Sequence, residues 1–312
     1  MTAFAWKAGL GGTLTRLAGL AGIALAAQTA GAQAAEPYKF DADYRVSLSG
    51  VPIGKAHLTG TFNGPRYRID GYGSLTGIAG AIYEYKASAS SAGRLSQDAT
   101  VPNAFSVNAT DGEKTATVRM TMSRGRVNRL QLSPKPSKHW LQHPHRVRIT
   151  DAHKRGTLDP MSALIVTGAE GLDARACNRT VPIFNGRERF DVQLRYRSIR
   201  TVSDRTVPGG RVLVCGAKYR AVAGHRSDKD EVKQAEKIDI ELQLSPVAGS
   251  DLLVPYRVHI PTPLGPAVIQ ASGLTSTGAL PKRAALLASA PADTADPVTT
   301  GSIPTRRELP ER

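Results

Sequence analysis

Cysteines, histidines, one aspartate and a set of arginines are the side chains here that could do chemistry. Cys177 and Cys215 are the only cysteines in 312 residues. A thiolate nucleophile needs a neighbouring base, and no recognised Cys-His motif surrounds either residue. Two cysteines in an oxidising compartment most simply pair, so a disulfide is expected, with a free pair or a reactive thiol as alternatives. His139, His143, His145 and His153 invite a metal reading. His139 and His143 have helical i, i+4 spacing, but Pro136 and Pro144 oppose a helix there. Asp151 is the lone carboxylate nearby, so no metal is assigned. The other reading is a basic loop that gains charge below about pH 6.5. Asp159 precedes Pro160 and an apolar run, which makes it a helix cap rather than a catalytic acid.

The arginines carry a different signal. The chain has 41 Lys+Arg against 26 Asp+Glu, a net charge of +15 and a pI near 10.1. Such a balance favours acidic partners. It is also uneven: Lys114 to Gly156 holds eleven Lys/Arg and one acid, Asp151. A solvated basic face and a docking surface for an anionic envelope component both fit. Arg124, Arg126 and Arg129, with Arg187 and Arg189 of "CNRTVPIFNGRERFDV" (177–192), are the candidate anion-docking residues. Arg189 and Asp191 share one strand face, which a solvated strand also explains. No Gly-x-Ser-x-Gly, His-Glu-x-x-His or phosphate-loop pattern occurs, so neither a cofactor nor a familiar hydrolytic centre is expected. "GYGSLTGIAG" (71–80) is glycine-rich but lacks a following helix pattern.

These residues must be positioned by strands. Residues 38–48 alternate Tyr38, Phe40, Ala42, Tyr44, Val46 and Leu48 with polar partners, the period of a half-buried strand. The same period runs through Ala56–Phe62, Tyr67–Ile69, Tyr83–Ala87, Phe190–Tyr196, Ile238–Leu244 and Tyr256–Ile260. One wet face per strand predicts an antiparallel sheet. Asn63-Gly64-Pro65 marks a turn, and Asn185-Gly186 a two-residue type I′ hairpin from which Arg187 starts the return strand. "VPIGKAHL" (51–58) and "TPLGPAVI" (262–269) each read as a Pro-x-Gly turn feeding a strand. "TLDPMSALIVTG" (157–168) predicts one short helix. Between Ser133 and Gly156 the pattern fails, with three prolines and four histidines in an irregular loop.

The termini bear on compartment. Lys7 and Arg16, the apolar run 17–30 and the small-residue site Ala32-Gln33-Ala34 read as a secretory signal peptide, residues 1–34, placing the mature chain in the periplasm. Export makes nucleic acid a poor partner, and no later segment reaches transmembrane length. Residues 35–280 read as a single β-rich domain. Residues 281–312, rich in Pro, Ala and Thr, read as a disordered tail.

Taken in order, "YRVSLSGVPIGKAHL" (44–58), "LDPMSALI" (158–165), "VPIFNGRERFDV" (181–192), "VLVCGAKYRAVAGH" (212–225) and "LVPYRVHIPTPLGPAVIQASG" (253–273) resemble the exported bacterial proteins grouped as domain of unknown function 3108. The likeness covers roughly residues 38–275. It implies a periplasmic, β-rich protein, with a fold similar to the open barrels of periplasmic lipoprotein carriers, and it brings no catalytic residues. The expected fold is therefore mainly β: one large, curved antiparallel sheet forming an open β-barrel or β-spiral, with one short helix near 160–168. The expected function is a non-enzymatic envelope protein that binds an anionic or amphiphilic component (lipid, lipoprotein or cell-wall polymer). An envelope hydrolase with an unfamiliar site is the alternative.

Overall fold

The computed structural model describes residues 36–96, 100–167 and 171–280. The expected leader (1–34) and tail (281–312) lie outside the described residues. Period-two alternation becomes strands along most of the described chain. Tyr38–Leu48 (β1), Val51–Asn63 (β2) and Arg66–Leu75 (β3) form a meander, continued by Tyr85–Leu95 (β4), Thr100–Asp111 (β5), Lys114–Ser123 (β6) and Arg126–Ser133 (β7). After a long connection come Val166–Thr167 (β8), Arg179–Phe184 (β9), Arg189–Thr201 (β10), Arg211–Ala223 (β11), Ile240–Pro246 (β12), Leu252–Ile260 (β13) and Ala267–Thr277 (β14). The hydrogen-bonded order is β7-β6-β5-β4-β3-β2-β1-β14-β13-β12-β11-β10-β9, with β8 on β13. All named pairs are antiparallel. β7 and β9 end the path without pairing to each other, so the sheet is an open barrel, as the pattern predicts.

The inner face is packed rather than hollow around its aromatic column. Tyr38, Phe40, Ala42 and Tyr44 of β1 are buried while Lys39, Asp41, Asp43 and Arg45 are exposed. Phe62 stands 5.9 Å from Tyr38, 6.1 Å from Phe40 and 6.4 Å from Tyr67, ring centroid to centroid, a range in which tilted aromatic pairs attract. A Cβ at Gly60 would collide with the Phe40 ring, so this strand needs glycine there. β11 is buried on both sides from Val212 to Ala217. Val212 and Val214 join the main core, whereas Leu213 and Cys215 meet Leu244, Leu253, Val166 and Cys177 in a second cluster.

Several local expectations are corrected. The helix expected at 157–168 is a single 3-10 turn, Ser162–Leu164, followed by β8. The apolar residues meant for a helix stripe are claimed by the sheet: Val166 and Thr167 pair with Leu253 and Leu252, and Leu158 bonds to β9. The α-helices lie elsewhere, at Gly77–Ile82 (α1), Lys138–Leu141 (α2) and Asp230–Lys237 (α3). α1 closes the glycine-rich run 71–80, where no helix pattern was read. Asn185-Gly186 is not a type I′ pair. The loop spans 185–188, Arg189 pairs with Phe184, and only Gly186 of the two has positive φ. The Asn185 carboxamide oxygen accepts from the amides of Arg187 and Glu188 at 2.9 and 2.7 Å, an Asx turn that competes with the tighter hairpin. Gly54 lies inside β2, and the turn is Ser49-Gly50; Pro263-Leu264-Gly265 is a turn as expected. Tyr83 and Tyr85 are exposed, at 48% and 38%, so their alternation marks no buried face.

A strap spans the open side. The bridge Arg126↔Arg155 and the bond from Gly156 N to Gly125 O (2.7 Å) fix it to the β6–β7 hairpin. Two residues on, Leu158 bridges Ile183 of β9 in parallel. Residues 155–158 thus touch both ends of the sheet, and satisfy part of what each edge strand would leave unpaired.

Candidate functional site

The candidate site grows from the β6–β7 hairpin. Arg124-Gly125 is its turn, with φ of 49° and 68°. Val127, paired with Met122, is buried, so Arg126, paired with Ser123, and Arg129, paired with Thr121, fall on the outer side. Arg119 pairs with Gln131 and is exposed as well. The strap adds Arg155 beside Arg126, and the preceding loop adds exposed Arg148, Lys135 and Lys138. Of the cations in 114–156, Lys154 alone makes an ion pair among the described residues, with Asp151 at 3.3 Å. The structure therefore brings Arg124, Arg126 and Arg129 together on an exposed, acid-poor surface. Arg119 and Arg155 belong to it too, and Arg148 is exposed in the loop before the strap. Sequence reading counted them in the basic stretch without singling them out, because the strap that delivers Arg155 has no local signature.

Arg187 and Arg189 do not join this surface. Arg189 is paired with Asp191 at 2.5 Å and donates to Phe190 O at 2.6 Å. Arg187 follows Gly186, which packs against Val118, Leu130 and Leu132, well down the hairpin from the Arg124 turn. Arg189 is thus neutralised at the start of β10, and Arg187 is half-buried in the 185–188 loop.

The loop behind the basic surface is held by specific contacts. The Ser137 hydroxyl accepts from Trp140 N at 3.1 Å and caps α2. The Arg146 guanidinium lies 3.6 Å from the Trp140 ring centroid, a cation–π stack. It also donates to Trp140 O at 2.9 Å and to Gly224 O. Val147 N donates to His225 O at 3.0 Å, and Gly224 N to Val147 O at 2.7 Å. His143 rings approach those of His139 and His145 at 6.0 and 5.9 Å. Desolvation, then Arg226, hold His143 below the usual histidine range. Among the described residues no group of three or more His, Cys, Asp or Glu is arranged to hold a metal ion.

The remaining chemical candidates are structural. Cys177 and Cys215 form a disulfide, with Cα atoms 5.4 Å apart. It ties the entrance of β9 to β11, and neither thiol is free. Asp159 caps the turn after it, accepting from Met161 N and Ser162 N at 2.9 and 3.0 Å. Its second oxygen accepts from the hydroxyls of Ser162 (2.6 Å) and Ser91 (2.9 Å), and Tyr67 OH lies 2.8 Å from Ser162 Oγ. The carboxyl is fully buried, and burial pushes its pKa up.

Arg45 lies on β1 and Arg257 on β13. They line two adjoining clefts of about 400 and 490 Å³ along β12, β13, β14 and β1. Among the described residues no helix is long and apolar enough to cross a membrane.

No curated protein matches the chain. A similar solved structure is the crystal structure of a beta-barrel-like protein of domain of unknown function DUF1849 from Brucella abortus. It is 10% identical, with a TM-score of 0.45, and the match covers 78% of this chain and 98% of that one. The family model described as "Protein of unknown function (DUF3108)" matches residues 43–272, and the chain belongs to that family.

Proposed function

We propose that the protein is a non-enzymatic, periplasmic cell-envelope protein that docks on an anionic or amphiphilic envelope component: lipid, lipoprotein or cell-wall polymer. One observation carries this reading. Arg119, Arg124, Arg126, Arg129 and Arg155 are exposed on the β6–β7 hairpin and its strap, and Arg148 is exposed in the loop before the strap, none with an acidic partner among the described residues. Surface cations left unmatched on one face attract an anionic surface and steer its approach. Leu141, 59% exposed in α2 beside Lys138, adds an apolar contact for an amphiphile. The leader read from residues 1–34 supports export, and the disulfide is compatible with an oxidising compartment.

Native mass spectrometry on protein purified from its own periplasm tests the proposal. Co-purified anionic lipid or glycan fragments are the expected result. Their reproducible absence, together with turnover of a wall substrate, would replace docking with hydrolysis.

A further inference from the structure

The two clefts meet at Tyr256 and Arg257 of β13, seven strands along the sheet from β6 of the basic hairpin. Register explains their composition. Arg45 of β1 pairs with Gln270 of β14, Gln270 with Arg257 of β13, and Arg257 with Gln243 of β12. Directly paired residues share a face, so the four side chains form one row across the sheet. Arg45 and Arg257 are two strands apart, about 10 Å at ordinary strand spacing, with Gln270 between them. Arg257 Nη1 donates to Gln270 Oε1 at 3.0 Å. Neither arginine meets a carboxylate among the described residues. Arg200, on the same cleft, differs: it forks onto Glu241 at 3.0 and 3.4 Å.

Oxygen acceptors complete the walls. The Asp204 carboxylate, brought in by the β10–β11 connection, accepts from Thr206 N (2.9 Å), Thr206 Oγ1 (2.8 Å) and Tyr256 OH (2.9 Å). The Thr206 amide, first among these, holds its pKa below the usual carboxylate range. Arg200 does the same for Glu241. Both groups therefore stay ionised at neutral pH and can accept from ligand hydroxyls. Gln243, Gln270, Thr206 and Ser272 offer further polar atoms on the clefts. Each volume lies in the range of small-molecule sites.

Two guanidinium groups without carboxylates fit an oxyanion, and the surrounding acceptors fit hydroxyls. From the Arg45–Gln270–Arg257 row and its Asp204 and Glu241 walls, we propose that these clefts are a binding site for an acidic sugar, a saccharide unit bearing a phosphate or a carboxylate. The site is separate from the basic hairpin and does not depend on it.

Calorimetric titration of the full chain with glucose 6-phosphate, glucuronate, glucose and inorganic phosphate tests the assignment. At least one acidic sugar should bind about tenfold more tightly than glucose and than inorganic phosphate, since charge-assisted and hydroxyl contacts act together. Preference between the phosphate and the carboxylate names the acid group. Arg257→Gln should weaken that binding about tenfold, as should Arg45→Gln, an exposed position where folding is not at issue. The Arg124→Gln/Arg126→Gln/Arg129→Gln variant should leave it unchanged. Glucose binding as tightly as either acidic sugar, inorganic phosphate alone binding, loss in the triple variant with retention in Arg45→Gln, or no binding of any probe would overturn the proposal. None of these outcomes bears on docking by the hairpin.

Discussion

Arg155 forms an isolated antiparallel bridge with Arg126, so two exposed arginines meet where the ends of the sheet approach each other. Like charges held side by side cost stability, and no acid among the described residues relieves them. The strap could have joined the two edges through any residues. That it does so through arginines is what gives the seam its charge.

The disulfide carries the first prediction. Replacing Cys177 and Cys215 together by Ser releases a loop spanning 38 positions. The chain-entropy relation puts the loss at about 4 kcal/mol. Thermal unfolding should shift down markedly, since two hydroxyls in the apolar cluster add to the loss, with folding retained at low temperature because β11 stays paired with β10 and β12. Maleimide should label no thiol in denatured protein until reductant is added; two labelled thiols would contradict the bond.

A second prediction concerns Asp159. Its folded-state pKa is raised by burial above the unfolded value. The native state then holds the proton more tightly, so the group's contribution is full below the unfolded pKa, near 4, and is lost as pH rises toward the folded pKa. Asp159→Asn keeps an oxygen for the Met161 and Ser162 amides and should flatten that decline in denaturant midpoints taken upward from pH 4. Asp159→Ala strands the Met161 and Ser162 amides and should cost about 1–3 kcal/mol.

Gly186 supplies a third. It has φ of +93°, and a Cβ there would come 2.5 Å from Val118 Cγ1 and 3.3 Å from Leu130 Cδ1. Gly186→Ala combines backbone strain with overpacking and should destabilise by about 1–3 kcal/mol in equilibrium unfolding. An unchanged midpoint would mean the β9–β10 loop does not pack on β6 and β7.

The Trp140–Arg146 stack supplies a fourth. Trp140→Ala should speed amide exchange at Val147 and Gly224, whose bonds tie the loop to the segment after β11. Exchange within β1 should not change, since its amides are held by pairing with β2 and β14.

Much of the architecture was legible in the alternation of Tyr38 to Leu48 and its counterparts, because a sheet with one buried face writes its period directly into the chain. The disulfide was legible from cysteine count alone, and the Asp159 cap from its place before Pro160. What failed were elements decided by long-range partners. Val166 and Thr167 look helical beside Leu164 and Ile165 until β13 is present to pair with them. Arg187 and Arg189 read as binding residues until Asp191 and the packing of Gly186 are seen. Arg155 and the Arg45–Arg257 row were invisible because registers between distant strands leave no mark in local sequence.

The central claim is that the β6–β7 hairpin docks through unpaired charge. The most direct measurement is co-sedimentation of the full chain with phosphatidylglycerol-rich vesicles, and with purified anionic wall polymer, across a salt series. It should be repeated for Arg124→Gln/Arg126→Gln/Arg129→Gln. Exposed charges are screened over about 8 Å at physiological ionic strength, so binding to one of these surfaces should fall steeply with salt. The triple variant, still folded, should bind less at every salt concentration. Binding to neither surface, or binding indifferent to both salt and the three arginines, would contradict the account and leave the hairpin as a solvated face.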